Sequence, residues 1–269
     1  MPAPTAVSKA TKKSIKKTAK PKLVKPATKV NSTSVVPAKT AVKSGKPSAA
    51  ARKQTLAPER IKTLLDLLAK TYPGVECALH HHNAWELLVA TILSAQCTDA
   101  RVNMVTPLLF KRFPAPADMA AASLDEIKEI IRTTGFYNNK ARSIQGAANK
   151  IISDFNGQVP RKMEDLLTVP GAARKTANVV LGVAYGIAVG VVVDTHVLRL
   201  SRRLELTTET SPEKVERDLM KIIPQDRWIA FSHEMIHHGR QVCIARKPHC
   251  ADCTLEKICN SSDKTWSTH

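Results

Sequence analysis

Residues 166–181 read LLTVPGAARKTANVVL, and their pattern decides the fold. A short helix is expected to end at Val169, Pro170-Gly171 turns the chain, and a second helix starts near Arg174. This is a helix-hairpin-helix pattern. Its physical use lies in the backbone N–H groups left open at the hairpin and at the second helix's N-terminus, which can bind a phosphate. A Pro-Gly turn between helices is common in helical proteins, so the surrounding residues carry the rest of the argument.

Helices continue outward in both directions. Pro58 suits a first helical position, and Ile61, Leu64, Leu65 and Leu68 follow at 3–4 spacing until Tyr72-Pro73-Gly74 stops them. Residues 85–95 and 101–113 read as helices, the second ending before Pro114. Ser123 opens a capping box with Glu126, followed by Ile127, Ile130 and Ile131 ahead of Gly135. Further helices are expected over 140–154, 163–167, 213–223 and 228–239. Residues 189–193 look strand-like but are too few to carry a sheet. The fold class is all-α.

Charge divides the chain. Residues 1–58 hold thirteen Lys, one Arg and no acidic residue, whereas 59–269 hold 27 basic and 23 acidic residues. Most of the formal +18 therefore sits at one end. That segment has no aromatic residue and repels itself, so residues 1–55 are expected to form a disordered basic tail. It lacks the apolar stretch of roughly 7–15 residues that a secretory signal needs, and it is not Arg-rich like a transit peptide. A polycation of this kind suits nucleic-acid phosphates, with release of counterions. A solubilising linker is the plainer alternative. The longest apolar run, 179–193, carries three glycines and falls short of the about 20 residues that span a bilayer, so no membrane partner is expected.

Four cysteines, Cys243, Cys250, Cys253 and Cys259, are spaced C-x6-C-x2-C-x5-C within seventeen residues. Four thiolates in one short loop suit a [4Fe–4S] cluster. Structural zinc sites usually pair two short clamps, and here only Cys250 and Cys253 form one. Zinc and two disulfides stay open as alternatives, the disulfides weakened because nothing marks the chain as secreted. Cys77 and Cys97 read as small packing residues. His80-His81-His82 reads as an ordinary polar loop, since adjacent histidines seldom converge on one ion.

LSAQCTDARVN (93–103), TTGFYNNKA (133–141), VPGAARKTANVVL (169–181), VDTHVLRL (193–200) and HGRQVC (238–243), followed by the cysteine quartet, together resemble the endonuclease III family of DNA base-excision glycosylases. The resemblance spans about residues 59–260 and leaves out the tail. It implies a bifunctional enzyme, a base-excision repair DNA glycosylase with AP-lyase activity. Its partner would be double-stranded DNA containing damaged bases, chiefly oxidised pyrimidines, or abasic sites. It also implies a monomer, a [4Fe–4S] cofactor on the four cysteines, and an intracellular setting in the bacterial cytoplasm or nucleoid. The architecture implied is a helical bundle over 79–187, a cluster lobe from 56–78 and 188–262, a DNA cleft between them, and a short tail over 263–269.

Lys175 matches the family's nucleophile, and Asp194, nineteen residues on, its carboxylate. A neutral Lys175 amine would attack deoxyribose C1′, expel the base and form a Schiff base, after which β-elimination cuts the strand. At an ordinary lysine pKa only about one amine in two thousand is neutral at pH 7. The helix N-terminus and partial burial are expected to raise that share. The plainer roles are a phosphate contact for Lys175 and a helix N-cap for Asp194. Gln96 matches the gap-filling glutamine, and Phe136 holds the position of the wedge, where a leucine is more usual. The resemblance adds Gly171, Ala173, Arg174, His196, Arg246 and Lys247 as DNA contacts, with His249 in the same loop.

The chain departs from the family at Ala173, where the hairpin is often written G-x-G. Alanine is uncomfortable there if the position needs φ > 0, which bears on any metal ion at the hairpin carbonyls. The adenine-mismatch branch of the same superfamily is set aside because it lacks the nucleophilic lysine. Lys175 and Asp194 argue against a non-catalytic DNA-binding protein, which stays open as the alternative from another class.

Overall fold

The computed structural model describes residues 56–266; the expectations for the tail over 1–55 lie outside the described residues. Pro58 opens α1 (Pro58–Thr71), and the residues it buries are the four read at 3–4 spacing. Asn83 caps α2 (Ala84–Leu93) by accepting from the Glu86 N–H, and Thr98 caps α3 (Asp99–Arg112) in the same way through Arg101. There follow α4 (Pro116–Ala121), α5 (Leu124–Ile131), α6 (Tyr137–Phe155), α7 (Met163–Leu166) and α8 (Arg174–Tyr185). The chain continues through α9 (Thr195–Arg203), α10 (Pro212–Ile222) and α11 (Trp228–Gln241). No strand forms among the described residues, and an isolated bridge joins His249 to Trp266. The fold is all-α, and residues 189–193 run as irregular chain rather than a strand.

Two hydrophobic cores organise these helices. The first lies between Leu79 and Leu181 and is built around α2, whose residues from Trp85 to Leu93 are all buried. A helix apolar on every side belongs at a centre, not a surface. The second gathers α1, α9, α10 and α11, with Val191, Val193 and Leu255 from the connecting chain. Arg60 ties α1 to the C-terminal loops, donating from Nη2 to the carbonyls of Ile258 at 2.7 Å and Leu204 at 2.9 Å.

The cores meet where Arg174, at the start of α8, reaches Glu216 on α10. Arg174 Nε and Nη2 bond the two carboxylate oxygens at 2.7 and 3.0 Å, and Asn178 Nδ2 adds a bond at 2.8 Å. Glu216 is buried, so a guanidinium in this fork geometry supplies the charge it needs. Gly190 leaves the room: a β-carbon there would lie 2.1 Å from Glu216 Oε1.

Two local expectations change. Ser123 does cap α5 through the Glu126 N–H, but Glu126 does not return the bond; its carboxylate pairs with Arg112 at 2.8 Å. The box is half formed because a full charge is the stronger partner. The helix α4 was not expected. Pro116 at its first position and Asp118, which accepts from the Ala115 N–H at 2.9 Å, are the signals that mark it.

Candidate active site and cysteine loop

The hairpin sets the position of Lys175. Gly171 has φ +82°, and a β-carbon there would lie 3.0 Å from Ser143 Cβ, so both conformation and space require glycine. Ala173 has φ −71° and ψ 168°, an ordinary extended residue at the N-cap of α8. The strain expected from alanine at this place is therefore absent: only Gly171 needs a left-handed backbone. Lys175 follows as the second residue of α8, where the N–H groups of the first turn are open.

Asp194 comes from the other core. Its Oδ1 accepts from the His196 and Val197 N–H groups, each at 2.8 Å, and so caps α9. Both bonds use one oxygen, and the half-buried carboxylate still faces the cavity it shares with Lys175. Capping and chemistry are thus compatible in one residue. That open cavity of about 1080 Å³ is lined by Lys175, Asp194, Gln96 and His196, all expected in the site. A second cavity, about 570 Å³, also touches Lys175 and Asp194 and runs on to Glu76, Cys77, His233 and His237. Burial holds His233 below the usual histidine range, which favours its neutral form.

Lys175 itself is exposed. The partial burial expected of it is not a property of the free protein. Asp99 and Arg240 pair at 2.6 Å and line both cavities, yet sequence reading passed over them. The signal was present: Asp99 lies three residues after Gln96, and Arg240 lies inside HGRQVC.

The remaining expected contacts divide. Gln96 and Phe136 stand exposed at φ +53° and +48°, left-handed positions that non-glycine residues seldom take. Arg246 and Lys247 are exposed in the cysteine loop, and Lys247 is also left-handed, at φ +53°. Arg174 is engaged with Glu216, with 42% of its side chain still exposed. Gly171, Ala173 and Phe136 lie outside the Lys175 cavity's lining. The three adjacent histidines do not converge: His81 bonds the Leu79 carbonyl and His82 bonds Glu86.

All four C-terminal cysteines are unpaired and line one cavity of about 340 Å³. All four sulfurs have polar neighbours, Cys259 Sγ lying 3.9 Å from the Arg203 carbonyl oxygen. Arg203 Nη1 lies 3.3 Å from Cys243 Sγ, the Thr265 N–H 3.4 Å from Cys250 Sγ, and His238 Nε2 3.4 Å from Cys253 Sγ. Burial pushes the Cys243 and Cys259 thiols up and Cys253 to about 11. Burial thus favours the protonated form of Cys243, Cys253 and Cys259 when free, and a cationic metal centre would be needed to hold them as thiolates. His238 is itself buried, pushed down to about 4, and its Nδ1 lies 2.9 Å from the Tyr72 hydroxyl. Tyr72 thus holds a ring whose other nitrogen lies against Cys253 Sγ, where it can orient that sulfur.

Comparison with known proteins gives this geometry a lineage. The family model for HhH-GPD superfamily base excision DNA repair proteins matches residues 89–225. Endonuclease III of Synechocystis sp. is 56% identical over 211 residues, covering 78% of this chain and 96% of the relative. Endonuclease III of Bacillus subtilis is 43% identical over 207 residues, covering 77% and 94%. The chain belongs to the endonuclease III family. Among solved structures, a non-covalent endonuclease III–DNA complex superposes with a TM-score of 0.73 at 45% identity, covering 76% of this chain and 95% of that one. A trapped covalent endonuclease III–DNA intermediate gives the same score and identity. With the family comes the activity: the chain is a base-excision repair DNA glycosylase and AP lyase.

Proposed function

We propose that Lys175 is the nucleophile of this glycosylase and lyase, acting on an oxidised pyrimidine flipped out of duplex DNA. The supporting observation is that Lys175 and Asp194, carried by helices of different hydrophobic cores, line one open cavity. A neutral Lys175 Nζ attacks deoxyribose C1′. The C1′–N bond breaks, and the base leaves with the electron pair and takes up a proton. The Asp194 carboxylate stabilises positive charge on the sugar as that bond lengthens. Nitrogen then expels the ring oxygen to give the Schiff base. Loss of a C2′ proton and of the 3′ phosphate completes β-elimination.

The flipped nucleotide leaves a gap that must be filled, or the base returns. Gln96 and Phe136, both exposed on left-handed backbone, are suited to fill and wedge it. The hairpin at Gly171 and Ala173 and the first turn of α8 offer N–H groups to a phosphate. Arg246 and Lys247 add cationic contacts from the cysteine loop. Cys243, Cys250, Cys253 and Cys259 would hold a [4Fe–4S] cluster, which when bound supplies a cationic core that ties the loop carrying those cations to the second hydrophobic core. Among the described residues no helix is long and apolar enough to cross a membrane. A monomer working at the bacterial nucleoid fits repair chemistry of this kind.

Duplexes carrying thymine glycol or a preformed abasic site test the reading. The wild type is expected to cut both, and Lys175→Ala neither, with DNA binding retained. Cutting by Lys175→Ala would place the nucleophile elsewhere.

A further inference from the structure

The proposed chemistry leaves a second lysine without a task. Lys140, in the first turn of α6, is 5% exposed, and among the described ion pairs no carboxylate joins it. Its Nζ donates to the Thr134 carbonyl at 2.8 Å. Burial holds the ammonium below the usual lysine range, with Cys97 pulling the other way. Taking an ammonium out of water without a carboxylate is costly, and a methionine would occupy similar space without that cost. Such a charge is expensive to keep for packing alone.

What it holds is the reversal that presents Phe136. Thr134 is buried, and its own hydroxyl donates to the Ile131 carbonyl at 2.8 Å. Gly135 at φ +69° and Phe136 at φ +48° then turn the chain in two successive left-handed steps. The result leaves the Phe136 side chain 63% exposed. A left-handed phenylalanine is strained and persists only where its surroundings fix it. The bond from Lys140 clamps the last carbonyl before that turn. The same ammonium lies within electrostatic reach of Cys97, next to Gln96 on its own left-handed backbone.

Resting on the reading of Gln96 and Phe136 as gap-filler and wedge, we propose that Lys140 is a positioning residue. Its buried ammonium, bonded to the Thr134 carbonyl, fixes the turn that presents Phe136, so that the wedge enters the duplex where Gln96 fills the gap.

The test compares wild type, Lys140→Met, Phe136→Ala and the double variant, each first shown to unfold cooperatively. Two substrates are used: a duplex with an abasic site opposite 2-aminopurine, and the abasic strand alone. Cleavage of the single strand needs the lysine chemistry but leaves no gap to fill. Lys140→Met is expected to lower the duplex-to-single-strand cleavage ratio by about 10- to 100-fold, the scale of a misplaced positioning group. It should also lose most of the 2-aminopurine fluorescence rise on binding, and add nothing further to Phe136→Ala. Equal losses on both substrates, or losses that add with those of Phe136→Ala, would overturn the proposal. If Lys140→Met does not fold, Gly135→Ala replaces it, because a β-carbon there meets nothing within 4 Å while φ +69° strains the turn. That variant should show the same duplex-only loss, and a wild-type ratio would count against Lys140. A wild type that cuts neither substrate removes the nucleophile reading, and the role of Lys140 with it.

Discussion

Asp194 shows how one residue can serve two ends. Its Oδ1 caps α9 while the carboxylate lines the cavity shared with Lys175. The two roles separate by substitution. Asparagine is as good an N-cap as aspartate, so Asp194→Asn should change stability by no more than about 0.5 kcal/mol. Without the charge it should lower single-turnover base excision by about 100-fold or more, the scale of losing one electrostatic contact to developing charge. Asp194→Ala should show the same catalytic loss and add about 1 kcal/mol of instability in a denaturant melt. If Asp194→Asn excised bases at the wild-type rate, the carboxylate would be a cap alone. Much of this site was legible at the level of single residues, because Lys175, Asp194, Gln96 and His196 sit in short motifs. Asp99 and Arg240 were not, since an ion pair between residues 141 positions apart is set by how helices pack.

At the scale of elements, the hairpin and the seam between the cores do the positioning. Gly171 combines a left-handed φ with a neighbour 3.0 Å from any β-carbon. Gly171→Ala should therefore cost about 1–3 kcal/mol of stability and weaken abasic-site binding. Unchanged thermal unfolding and affinity would mean the turn tolerates both strain and crowding. Across the seam, Glu216→Ala removes the partner of Arg174 and Asn178 and should destabilise the protein by up to about 3 kcal/mol, the lower end for a pair with one partly exposed member. A wild-type urea midpoint would contradict that seam. Helix positions were read well where apolar residues recur at 3–4 spacing, as in α1. They were read poorly where a six-residue helix such as α4 shows little periodicity. The half-formed cap at Ser123 was hidden because Arg112, which draws Glu126 away, is fourteen residues off in sequence.

For the whole molecule, charge is unevenly placed along the sequence. The tail holds fourteen of the 41 basic residues and none of the 23 acidic ones. Deleting residues 1–55 should leave single-turnover cleavage intact and flatten the salt dependence of DNA binding, each lost phosphate contact removing about 0.9 from the slope of log K against log salt. An unchanged slope would make the segment a linker. The cysteine loop is tied into the second core by Arg60 and Arg203. Cys253→Ala is expected to abolish the visible absorbance of the purified protein and release this loop to protease. Retained absorbance would remove Cys253 from the ligand set.

The account turns on which lysine meets the sugar. Lys175 is exposed and lines one cavity with Asp194, whereas Lys140, assigned only a positioning role, is buried against Thr134. Borohydride added to the wild-type protein and an abasic duplex, followed by digestion and mass mapping of the cross-linked peptide, decides between them. The account predicts one adduct, on Lys175. An adduct on Lys140 or any other lysine, or none from a protein that binds and cuts the duplex, would contradict it.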